Sequence, residues 1–256
     1  MAKFQASKKR VYRPPTKDKV GQPLIPSAAV EQEYRAEIYA AVMESLNLPG
    51  YVGDALTVSS LNILRRKAYR IASRFAAKVN RHSRTSVWSS LEKLSKAITV
   101  GVADVSDLTP QIQTNVELIT NLSTAAQEKL TKLYLEHGPD QSKIYPELKE
   151  MVGSRAKLIS VDQNAKIFTS LNTERMLASG LETFIWDHSS AGKTPRPCHV
   201  KRDGKEFLLS GSSAELHNLD GSDANNDDGC KKGDVGKPGY AIHCRCRMRP
   251  KLSLDD

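Results

Sequence analysis

Between residues 28 and 178 apolar side chains recur every three or four positions, and after Gly180 they come in short extended runs instead. The first pattern predicts helices. It is clearest over 57–91, where Leu61, Leu64, Ala68, Ile71, Phe75 and Val79 fall on one helix face. A second helix is predicted over 110–136 from Ile112, Val116, Ile119, Ala126, Leu130 and Leu133, with Pro139 as its stop. A third is predicted from Val161 to Ser179, with Ser160 and Gln163 in capping-box positions and Gly180 just past its end. The second pattern predicts strands at Thr183-Phe184-Ile185-Trp186 and at Glu206-Phe207-Leu208-Leu209, the latter after the turn signal Asp203-Gly204. Residues 210–240, rich in Gly, Asn, Asp and Ser, read as a long irregular loop. The fold class expected is therefore α+β: a mostly helical N-terminal part, then a small α+β C-terminal module with short strands and a candidate zinc site. The divisions expected are a basic flexible arm at 1–27, a helical region at 28–155 and the module at 156–256.

Charge changes this picture in two places. Residues 1–20 carry Lys3, Lys8, Lys9, Arg10, Arg13, Lys17 and Lys19 against the single Asp18, so much of the formal net charge of +9 sits in one tail. Such an arm, lacking hydrophobic periodicity, is expected either to bind a polyanion or an acidic protein surface, or simply to aid solubility. The helix over 57–91 adds Arg65, Arg66, Lys67, Arg70, Arg74, Lys78, Arg81 and Arg84, with no acidic residue between Asp54 and Glu92. Like charges four residues apart repel by a few tenths of a kcal/mol per pair, so an anionic partner would relieve them. Lys8, Lys9, Arg10, Arg13, Arg66, Arg70, Arg74, Lys78 and Arg81 are the candidate contacts to DNA phosphate or a protein partner. The alternatives are a solvated face or acidic residues elsewhere in the fold.

No stretch reaches the ~18 apolar residues of a membrane span, and MAKFQASKKRVYRPP lacks the apolar core of a signal peptide, so a membrane partner is not expected. A cytoplasmic, reducing setting makes the four cysteines, Cys198, Cys230, Cys244 and Cys246, zinc ligands or free thiols rather than disulfides. All four lie in the last quarter of the chain, beside His199 and His243. Four donors among Cys198, His199, Cys230, Cys244 and Cys246 would complete a tetrahedral zinc site. A calcium loop is a weaker option. Asp223-x-Asn225-x-Asp227 opens like one, but Asp228 stands where glycine belongs and Asp234 where glutamate belongs. Trp186, inside an apolar run, is expected in the core, and His188 beside Asp187 in a structural hydrogen bond.

Several segments, in order, resemble the phage Mu F-like minor head, or head morphogenesis, family. They are Asp162-Gln163-Asn164-Ala165-Lys166, Leu171-Asn172-Thr173-Glu174-Arg175, Gly180, and Phe184-Ile185-Trp186-Asp187-His188-Ser189. Arg196-Pro197-Cys198-His199, Asp203-Gly204-Lys205-Glu206-Phe207, and His243-Cys244-Arg245-Cys246 before Pro250 continue the series. The resemblance spans about residues 155–250. Where some members carry CxxC, this chain has Arg196 and His199, and an arginine cannot ligate metal. The resemblance implies a minor virion component, made in the host cytoplasm and acting in head assembly. Its partners would be the portal or major capsid protein and packaged DNA, with no catalysis and no small-molecule substrate. Consistent with that, the chain has no P-loop, GxSxG or HExxH. A nucleic-acid-binding zinc module unconnected with a capsid is the second reading, since net charge and clustered cysteines fit it too.

Overall fold

The computed structural model describes residues 19–46, 58–94, 107–189, 195–231 and 234–252. After the two-residue β1 (Lys19–Val20) come four long helices: α1 (Ala28–Ser45), α2 (Val58–Leu94), α3 (Thr109–His137) and α4 (Gln141–Ala178). A four-stranded antiparallel sheet follows, in the order β1 (Lys19–Val20), β4 (Arg247–Leu252), β2 (Thr183–Asp187), β3 (Glu206–Leu208). A short α5 (Pro197–Lys201) and a 3₁₀ turn at Asp227–Gly229 lie in the connections. The expected α+β class, helical first and with a small C-terminal sheet, is the observed one. No helix among the described residues is long and apolar enough to cross a membrane.

The helices begin and end for local reasons. Ser27 caps α1, its hydroxyl accepting from the Val30 amide at 3.3 Å. The left-handed Gly138 ends α3. Gly180, with φ +78°, ends α4 in a Schellman motif, since its amide donates to Leu177 O and that of Leu181 to Met176 O. One prediction needs correcting here. The helix expected to start at Val161 starts twenty residues earlier, capped by Asp140, whose carboxylate accepts from Ser142 N. Ser160 caps nothing. It is buried in mid-helix with its hydroxyl donating back to Lys157 O.

One hydrophobic cluster runs from Leu24 through all four long helices to Met248. Tyr34 of α1 stacks on Phe75 of α2 at 3.7 Å, and its hydroxyl donates to Asn115 of α3 at 2.6 Å. The position 155/156 falls inside α4, which carries the helical packing directly into the module. Residues 19–27 are docked: β1 pairs with β4, and the amides of Gly21 and Leu24 donate to Pro250 O and Met248 O. The sheet buries Phe184, Trp186, Phe207 and Met248 on one face by register, and Trp186 is core as expected.

Candidate metal centre and cationic helix

The short helix α5 sets one side of the centre. Pro197 opens the helix where no amide partner is needed, and this places Cys198 and His199 on its buried side. Cys244 and Cys246 arrive from the segment entering β4, and Cys230 from the end of the 3₁₀ turn. His199 stands between two sulfur pairs. Its ring lies with Cys198 and Cys230 in one group and with Cys244 and Cys246 in another, each with donor atoms within 4.8 Å of one another. The five residues expected to supply a metal are thus brought together, and a Cys/His group among them could hold an ion.

One expectation is overturned. Cys198 and Cys230 form a disulfide, with their Cα atoms 5.2 Å apart. That separation suits the bond, so α5 and the 3₁₀ turn bring the pair within bonding reach whatever the compartment. Cys244 and Cys246 are free and buried. They behave as one acid. Hydrogen bonding from Cys246 is the largest influence holding Cys244 well below the ordinary thiol range, with His199 and the Gly239 amide (3.3 Å) adding to it. The same hydrogen bond, followed by burial, pushes Cys246 up.

The distances fit a tetrahedral ion. With bonds of ~2.3 Å to sulfur and ~2.0–2.1 Å to nitrogen, the N···S edge of a zinc tetrahedron is about 3.6 Å. His199 Nδ1 lies 3.5 Å from Cys244 Sγ and 3.6 Å from Cys246 Sγ. Both N···S edges are therefore at the right spacing before any ion enters. Cys198 or Cys230, once reduced, is the nearest source of a fourth ligand.

The irregular loop is held by a residue that the sequence does not single out. Lys237 is fully buried, and its ammonium donates to Ser210 O (3.0 Å), Ser212 O (2.6 Å), Glu215 O (3.1 Å) and Gly211 O (3.4 Å). Burial pulls its pKa down to about 8, opposed by the Glu215 carboxylate. Gly239 then brings the loop onto α4, where Thr169 donates to Pro238 O at 2.6 Å. The calcium-like triplet is spent on the loop itself. Asp223, Asn225 and Asp227 accept from Asn225 N, Gly236 N and Asn218 Nδ2 respectively. Arg196 pairs with Asp234 at 2.6 Å and ties the loop to α5. The backbone N–H of His188 donates to Asp203 Oδ1 at 3.0 Å.

On α2 the structure divides the predicted contacts. Arg74 pairs with Glu37 of α1 at 2.9 Å, Lys78 with Glu33 and Lys67 with Glu44, so these cations are answered inside the fold. Arg74 and Lys78 must therefore be withdrawn as free contacts. Arg66, Arg70, Arg81 and Arg84 are exposed and have no ion pair among the described residues, though Arg66 also bonds its own helix at Asn62 O. At 100° per residue these four fall within about 60° of one another. Trp88, 49% exposed, continues the same stripe. Lys8, Lys9, Arg10 and Arg13 lie outside the described residues. No family model, curated protein or solved structure matches the chain.

Proposed function

We propose that this chain is a minor head protein of a tailed phage, a non-enzymatic component of head morphogenesis working near the portal and packaged DNA, its C-terminal module clasped by zinc. What supports the reading is that the resembling segments, scattered over 155–250, touch one another. Phe184 packs on Phe207, the His188 amide donates to Asp203, Trp186 meets His199 edge-on, and Cys244 and Cys246 meet the same imidazole. A signature whose members converge on one structural centre suits a load-transmitting module, whose parts must stay together in a shell. His199, Cys244 and Cys246, with Cys198 or Cys230, would hold the ion. Bound there, zinc supplies a cross-link between α5 and the segment entering β4.

The DNA contact proposed for this protein falls to the arm and to Arg66, Arg70, Arg81 and Arg84. Those free arginines are also the observation favouring the second reading, a nucleic-acid-binding zinc module unconnected with a capsid. Co-expression with the portal protein separates the two. Association that survives nuclease and moderate salt is the expected result; association lost to nuclease favours the second reading, and none at all contradicts the first.

A further inference from the structure

We propose that Arg202 is the built-in counter-charge of the thiol centre, a positioning residue whose buried guanidinium sets how tightly His199, Cys244 and Cys246 hold a zinc ion. The inference rests on the metal reading above. Arg202 closes α5 three residues after His199 and is fully buried. One of its nitrogens is well used: Nη2 donates to Ala224 O at 2.6 Å and to Asn225 O at 3.2 Å. The others are not. Nη1 and Nε have no hydrogen-bond partner, and Nε stands 3.8 Å from Asp228 Oδ2, beyond hydrogen-bond reach. Asp228 is meanwhile engaged by Lys205 at 2.7 Å.

A buried cation with idle donors is costly unless negative charge lies near it. Asp228 is the nearest such charge, and the centre adds to it. The guanidinium lies 5.3 Å over the Trp186 ring, Trp186 meets His199 edge-on at 5.1 Å, and His199 touches both thiols. Three thiolates and an imidazole around a divalent ion leave one net negative charge, and four thiolates leave two. Either complex is dispersed poorly in this dry setting without a cation beside it. Burial acts to discharge Arg202, while Asp228, then Asp227 and then Cys244 and Cys246 act to keep it charged.

The test uses the full chain, reduced, with zinc affinity measured by competition against a chromophoric chelator. Arg202→Met keeps the apolar bulk and removes the charge, and should weaken zinc by ~10–100-fold, the range found for outer-shell partners. Arg202→Lys should retain most of the affinity. Asp228→Asn removes the competing carboxylate at a left-handed position (φ +61°) that asparagine tolerates. It should leave zinc binding unchanged or tighter, whereas a purely structural role predicts weakening from either change. Wild-type affinity in Arg202→Met, or weakening in Asp228→Asn, overturns the proposal. Should Arg202→Met fail to fold, the Asp228→Asn result decides alone. A wild-type chain that binds no zinc would fail the metal reading itself, and the proposal with it.

Discussion

Charge reversal on α2 gives two opposite outcomes according to which side of the helix is changed. Arg70, Arg81 and Arg84 point to solvent without a carboxylate partner among the described residues, whereas Arg74 and Lys78 meet Glu37 and Glu33 of α1. For duplex DNA, each phosphate neutralised contributes about −0.9 to the slope of log K against log salt. Reversing Arg70, Arg81 and Arg84 to Glu should therefore flatten the slope by about 2.7 and weaken binding at every sequence alike. Helix propensity hardly changes, and no ion pair is lost, so melting should stay near wild type. Reversing Arg74 and Lys78 does the converse. Two exposed pairs, each worth ~0.2–1 kcal/mol, become repulsions, costing about 1–2 kcal/mol in all. For a chain of this size that lowers Tm by roughly 2–8 °C, with the salt slope almost unchanged. Salt-titrated fluorescence anisotropy on two unrelated duplexes, beside thermal melts, reads both. Equal slopes for wild type and the solvent-face variant would refute the assignment, as would DNA loss in the α1-facing variant matching that of the solvent-face one.

Two further outcomes follow from buried polar groups. Lys237→Met leaves four backbone carbonyls without their donor and should cost about 2–4 kcal/mol by denaturant titration, with loop 210–240 becoming the first site of proteolysis. Tyr34→Phe orphans Asn115 Oδ1 at the α1–α3 contact and should cost about 1–3 kcal/mol, whereas a neutral effect would mean that water replaces the hydroxyl.

Helices were legible because apolar periodicity over thirty residues is hard to imitate, and α2 and α3 lie within a few residues of their predicted limits. The false start at Ser160 shows the weakness of local signals. A Ser-x-x-Gln pair caps a helix only if the chain is not already helical, and Ile144, Leu148 and Val152 keep α4 going from Asp140. β4 was invisible because its alternation is written in Arg247, Arg249 and Lys251, and because Pro250 argues against a strand. The five candidate ligands were found from residue type and clustering, and the fold gathers them around His199. Lys237 and Arg202 were not found. A lysine or arginine that will be buried looks the same in sequence as one that stays in water, and only the carbonyls and rings brought to it by tertiary structure reveal its place.

The claim most exposed to a direct measurement is that His199, Cys244 and Cys246, joined by Cys198 or Cys230, form a metal centre that orders the C-terminal module. The full chain, purified reduced and without chelator, can be assayed by elemental analysis and melted with and without a strong chelator. About one equivalent of zinc, with a chelator-induced loss of cooperative melting, is the predicted result. Zinc well below one equivalent, with melting indifferent to the chelator, would contradict it and leave the Lys237 cage and apolar packing to hold the module alone.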